Sequence, residues 1–148
     1  MQPVRSVVLD SVELSSSPIN PDWIIAGSPQ ALSGNWATSS DGTVTMAVWS
    51  CTAGTFRWQF TCDELVHIIE GSVQVTMPSG EQVTLGPNDS ALFPAGEWTT
   101  WHVPEYVRKH AILRSPLPRP VRLFWRILSQ SKAVLTGRSA APDQKSAL

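Results

Sequence analysis

Residues 49–71 read Trp49-Ser-Cys-Thr-Ala-Gly-Thr-Phe-Arg-Trp-Gln-Phe-Thr-Cys-Asp-Glu64-Leu-Val-His-Ile-Ile-Glu70-Gly71. Six residues separate Glu64 from Gly71, the length of a short strand, so a carboxylate opens the strand and a glycine makes the turn that closes it. Val73, Val75 and Met77 then alternate with polar residues as a returning strand, and Gly80 supplies the next turn. This is a β-hairpin meander. A second turn-rich stretch, Gly86-Pro-Asn-Asp-Ser-Ala-Leu-Phe-Pro94-Ala-Gly96, leads into Glu-Trp-Thr-Thr-Trp101-His-Val103.

The same alternation of β-branched or aromatic runs with turn residues fills residues 43 to 113, with further turns at Asp41-Gly42, Ala53-Gly54 and Pro78-Ser79-Gly80. Many short strands between such turns predict an all-β sandwich or barrel. The chain of 148 residues, with 42% hydrophobic and 16% charged side chains, fits one compact domain. Seven Trp and twelve Pro indicate a turn-rich fold with large aromatic anchors and exclude disorder throughout. No apolar stretch approaches the roughly 18 to 20 residues of a membrane span, and the N-terminus carries no signal-peptide apolar core. A soluble, cytoplasmic protein is expected. Cys51 and Cys62 are too few for a disulfide framework and lack zinc-ribbon spacing, so reduced thiols are expected.

Four zones follow from composition. Residues 1–40 mix short apolar runs with Ser, Pro, Asn and Gly, as an arm with short strands; residues 41–115 form the barrel core. Residues 116–137 are a basic segment. There Val121, Phe124, Trp125 and Leu128 share one helical face, while Val121, Leu123, Trp125 and Ile127 also alternate with Arg122 and Arg126, so helix and strand both remain open and a helix is the expectation. Residues 138–148 read as a loose tail. Charge is divided sharply. Residues 1–107 hold eleven Asp and Glu against Arg5 and Arg57, a balance of −9, whereas from Arg108 onward nine Lys and Arg face only Asp143, a balance of +8. The basic end is expected to pair with the acidic body, within one subunit or across a homodimer. Nucleic-acid binding is not expected, because the basic residues are not interleaved with exposed Gly-aromatic motifs.

The two turn motifs, Glu64 to Gly71 and Pro94-Ala95-Gly96, resemble those of the cupin superfamily over roughly residues 20 to 115. The chain looks most like small cupins of the ureidoglycine aminohydrolase cupin-domain type, the domain-of-unknown-function 861 group. The features of that group recur here as Asp41-Gly42, Trp49, Gly54-Thr-Phe56, Asp63-Glu64, Glu70-Gly71, Asn88-Asp89, Pro94-Ala95-Gly96, Trp101 and Arg108-Lys109. The resemblance implies a single-domain cupin, a small antiparallel β-barrel or jelly roll whose interior forms the site. It also implies a metal held by two His and a Glu of the first motif and one His of the second. Here the three histidine positions are Trp58, Phe60 and Thr99, leaving only Glu64. One carboxylate does not hold a divalent transition metal against water, so no metal and no cofactor are expected. His67, His102 and His110 fall out of phase with the interior.

An unpaired carboxylate inside an apolar barrel costs several kcal/mol, so Glu64 needs a partner. Lys109, at the position of a basic residue typical of the group, is the favoured one, with Arg57 and Arg108 as alternatives. Trp58, Phe60, Val66, Ile68, Phe93, Thr99 and Trp101 are expected to line the interior, as hydrophobic filling in most cases. The expected ligand pocket comprises Trp58, Phe60, Cys62, Glu64, Thr99 and Trp101, with Trp101 as an aromatic platform. A reactive Cys62 would need a depressed pKa, which Asp63 and Glu64 oppose. The leading functional expectation is a binding or accessory domain for an unidentified small molecule. The alternative is a ureidoglycine aminohydrolase-like enzyme, metal-dependent or metal-free, in which Glu64 serves as acid or base and Lys109 steadies negative charge. A structural role as a homodimer is a third.

Overall fold

The computed structural model describes residues 3–116. The segments 116–137 and 138–148, with the helix-or-strand question at 120–136, therefore fall outside the described residues apart from Pro116. The described residues form an antiparallel sheet of nine strands: β1 (Ser15–Ser16), β2 (Ile24–Gly27), β3 (Ala31–Thr38), β4 (Val44–Gln59), β5 (Asp63–Gly71), β6 (Val73–Thr76), β7 (Gln82–Leu85), β8 (Ser90–Phe93) and β9 (Trp98–Arg114). Short 3-10 turns at Leu9–Ser11 and Pro21–Trp23 interrupt the N-terminal segment. The fold is an all-β cupin.

Two long strands organise it. β4 and β9 pair from Val44↔Arg114 to Gln59↔Trp98, with a register shift between Thr52 and Gly54. On one side of that irregularity the order is β1-β3-β4-β9-β5-β8; on the other, β2 pairs with β4, and β6 joins β9 to β7. A bulge bends a strand and raises its twist, which lets β4 and β9 serve both halves of a jelly roll. The first forty residues thus supply sheet strands, since β3 pairs with β4 from Ala31↔Cys51 to Thr38↔Thr45.

Alternation decides what faces inward. Phe56, Phe60, Val66, Ile68, Val73, Val75, Phe93, Trp101, Val103 and Val107 are buried and form the core. Phe60 and Phe93 stack in parallel with centroids 4.6 Å apart. Gly71 closes β5 at φ +74°, a left-handed conformation, and its backbone presses against the Tyr106 carbonyl, so a side chain there would be both strained and obstructed. No helix among the described residues is long and apolar enough to cross a membrane.

Candidate functional site

The site grows from one cross-strand neighbourhood. Lys109 on β9 lies opposite Trp49 on β4 and opposite Ile68 on β5, while Glu64 lies opposite Leu113, four residues further along β9. Lys109 and Leu113 share a face by period-two alternation, so the lysine side chain can run along the strand to the carboxylate. Its Nζ donates to Glu64 Oε1 at 2.7 Å, with the two side chains 5% and 8% exposed. The same Nζ lies 4.7 Å from the Trp101 ring centroid and 4.9 Å from that of Trp49. An ammonium between two indole faces gains roughly 0.5–2 kcal/mol from each. The carboxylate and the rings together offset the cost of burying this charge.

The pair opens onto a pocket of about 180 Å³. Trp49, Trp58, Ala47, Ala111 and Leu113 give it apolar walls; Ser17, Ser33 and Asn35 form a polar side contributed by β3 and the segment after β1. Ser33 is the cross-strand partner of Trp49. None of the side chains of Ser17, Ser33 and Asn35 has a hydrogen-bond partner among the described residues, nor has Glu64 Oε2.

Of the residues expected to make the pocket, Glu64 and Trp58 line this one. Phe60 and Trp101 are 1% exposed and belong to the core; Trp101 faces Lys109 rather than the opening. Trp101 Nε1 donates to Thr99 Oγ1 at 2.9 Å, and Thr99 Oγ1 donates to the Trp58 carbonyl at 3.2 Å. Thr99 also borders a separate groove with Arg57, Thr76 and Trp98. Cys62 is half-buried, away from the pocket, and burial, followed by the charges of Glu64 and Asp63, pushes its thiol pKa up. Burial pushes Cys51 up to about 11. Trp49, Ser17, Ser33 and Asn35 were not anticipated as pocket residues. Trp49 was marked only through the resemblance, and the period-two spacing of Ala31, Ser33 and Asn35 was hidden in a segment rich in turn-forming residues.

The metal that a cupin barrel commonly carries finds too few donors here, one carboxylate oxygen of Glu64 at most. Trp58 and Phe60 offer no ligand atom, the Thr99 hydroxyl is engaged twice, and Glu64 Oε1 already accepts from an ammonium. The histidines lie on the other face: His67 is opposite His110, Nδ1 of His67 is 2.9 Å from Ser90 Oγ, and Nδ1 of His102 is 2.9 Å from Thr55 Oγ1. Trp36 Nε1 donates to His110 Nε2 at 3.2 Å. Burial, then the charge of His67, holds the His110 pKa below the usual histidine range. Among the described residues no group of three His, Cys, Asp or Glu side chains is arranged to hold an ion.

The alternative partners of Glu64 are otherwise occupied. Arg57 lies over the Trp98 ring at 4.5 Å, and Arg108 donates from Nη2 to the Leu9 carbonyl at 3.1 Å. The other ion pair among the described residues, Arg114 with Asp63 at 3.6 Å, is solvent-exposed and contributes little. Of the basic residues from Arg108 onward that are described, Lys109 and Arg114 pair with acids of β5 and Arg108 holds the Leu9 carbonyl; the others lie outside the described residues.

Comparison with known proteins agrees with this architecture. The sequence pattern of the EutQ-like cupin domain matches residues 38–111, half of the chain. No curated protein matches the sequence. Among solved structures, a Pseudomonas syringae pv. tomato protein of unknown function, assigned to the domain-of-unknown-function 861 family, is 27% identical with a TM-score of 0.64. That match covers 70% of this chain and 45% of the other, so the chain spans less than half the length of that relative. The Clostridium difficile EutQ protein is 20% identical over 74% of this chain and 86% of its own, with a TM-score of 0.60. The cupin domain of Schizosaccharomyces pombe Cnp3 is 12% identical over 75% and 74%, with a TM-score of 0.55. These last two share the fold. With both turn motifs of the barrel inside the matched span, the chain belongs to the EutQ-like cupin domain family.

Proposed function

We propose that this cupin is a small-molecule-binding module in which the buried Glu64–Lys109 pair stands where related barrels hold a metal. The observation that carries this reading is the position of Lys109 Nζ, 2.7 Å from Glu64 Oε1 and within 5 Å of two indole rings, beneath an open pocket. A charge that is held so closely supplies a fixed electrostatic floor without an exchangeable ion. Apolar walls with a few convergent polar groups are the usual composition of a ligand site. The test is a fragment screen read by NMR at the indole N–H signals of Trp49 and Trp58. The expected result is saturable shifts at both that survive a chelator, with the Trp49 shift lost in Trp58→Ala. Fragments that perturb only remote signals would refute the reading.

A second reading keeps catalysis, in the manner of the ureidoglycine aminohydrolase type that the sequence resembles. The second oxygen of Glu64, without a hydrogen-bond partner among the described residues, supports it, since a carboxylate at a pocket wall can take or give a proton while Lys109 stabilises developing negative charge. In that case Glu64→Gln abolishes a turnover that chelator treatment leaves intact; loss on chelation would instead favour the metal-dependent form. Homodimer formation belongs to the same proposal, supported by the exposed Leu65 and Leu92, which are cross-strand partners on β5 and the edge strand β8. Light scattering during size exclusion tests it, and a strict monomer would remove it.

A further inference from the structure

The pocket's chemistry also narrows what can occupy it, an inference that rests on the binding reading above. We propose that the ligand is a small, neutral, polyhydroxylated molecule, of the polyol or monosaccharide class.

Charge is the first discriminator. The Lys109 ammonium is committed to Glu64 Oε1 and to the faces of Trp49 and Trp101. A carboxylate or phosphate ligand would therefore meet Glu64 Oε2 with no second cation among the described residues of the pocket to balance it. An alkylammonium ligand would have to share Glu64 with Lys109 at close range. Both carry an electrostatic cost that a neutral ligand avoids.

Hydrogen-bonding capacity is the second. Ser17 and Ser33 each present a hydroxyl that both donates and accepts, Asn35 presents a carboxamide that does the same, and Glu64 Oε2 only accepts. Adjacent ligand hydroxyls match this set, because each can donate to the carboxylate or to a side-chain oxygen while accepting from a neighbouring donor. A ligand carrying acceptors alone would leave Oε2 unsatisfied.

The shape of the aromatic walls is the third. Trp49 and Trp58 have centroids 6.2 Å apart and planes inclined at 56°, and Trp23 packs edge-on against Trp58 at 5.8 Å. The two pocket indoles thus touch each other and make a corner, not a parallel slot. A planar aromatic ligand could lie against only one of them, whereas the C–H faces of a puckered polyol can contact both. About 180 Å³ is below the range of sites for drug-sized ligands, so the occupant is small.

The experiment titrates the full chain with glycerol, erythritol, ribose and glucose, and in parallel with methylammonium and acetate, following the indole N–H signals of Trp49 and Trp58. Saturable binding by at least one hydroxyl probe is expected, with the charged probes weaker. Ser33→Ala and Asn35→Ala, on the partly exposed side of the pocket, should each weaken that binding by roughly 2- to 10-fold, the range of one lost hydrogen bond. Thermal melts of both variants verify that they fold. Preferential binding of methylammonium or acetate would overturn this inference and leave the binding reading standing. So would hydroxyl-probe affinity unchanged in the double variant. Silence from every probe at both indoles would overturn the two together.

Discussion

Glu64 and Lys109 concentrate the electrostatic cost of this fold into one contact. Both are almost fully buried, so each charge depends on the other more than an exposed pair would. Removing one partner of such a pair costs about 3–5 kcal/mol, because the survivor stays buried and uncompensated, whereas replacing both by apolar groups is often neutral. Glu64→Leu and Lys109→Met are therefore expected to be strongly destabilising singly, and the double variant should recover most of the loss. Urea denaturation of all four proteins checks this, and additive single effects would show that the two groups are not coupled. His110 gives a prediction with a pH window. Its native pKa lies below the usual histidine value near 6.5, so the unfolded chain binds the proton more readily than the native one. Stability contributed by neutral His110 is present above that value and is lost as the pH falls from it through the lower native pKa. Denaturation midpoints between neutral and mildly acidic pH should fall more steeply in the parent than in His110→Gln; equal slopes would contradict the assignment.

The N-terminal segment holds onto the sheet through backbone contacts that side-chain patterns do not announce. A Cβ at Gly34 on β3 would collide with the Glu13 carbonyl and crowd Val12, and Arg108 on β9 reaches the Leu9 carbonyl. Gly34→Ala is thus expected to displace the segment and destabilise by about 1–3 kcal/mol, the typical cost of overpacking. The same change should weaken ligand binding, because Ser17 follows directly from that segment into the pocket. Thermal melting and probe titration check both effects; a variant as stable as the parent would mean that the close approach is not restrictive. This element also marks where sequence reasoning ran short. The turn at Gly71 and the strand opening near Glu64 were legible because one glycine and one carboxylate bracket an alternating run. Ser33 and Asn35 were not, because polar residues facing a pocket look the same in sequence as polar residues facing water. The inward set Val66, Ile68, Phe93 and Trp101 followed from alternation, yet alternation alone could not separate the core filling at Phe60 and Trp101 from the pocket wall at Trp49 and Trp58.

Across the whole molecule, a jelly roll built on two bent strands brings one end of β9, one end of β5 and the middle of β3 and β4 around a single opening. Cupin barrels that converge imidazoles on such a point gain a metal; here tryptophan, phenylalanine and threonine occupy those positions, and a lysine reaches the carboxylate instead. The departures were readable once the resemblance supplied the ligand positions, against which the histidines fall out of phase. The resemblance pointed to Lys109 as the partner of Glu64, but the indole of Trp49 beside it needed three dimensions, because Trp49 and Lys109 are sixty residues apart in sequence and become neighbours only through the β4–β9 register. The most direct test is metal analysis of the purified protein after incubation with manganese, iron, nickel and zinc in turn, followed by removal of the free ion. The expected result is no stoichiometric ion retained by the parent and no difference in Glu64→Gln. One ion per chain, lost in Glu64→Gln, would contradict the assignment of Lys109 to that place.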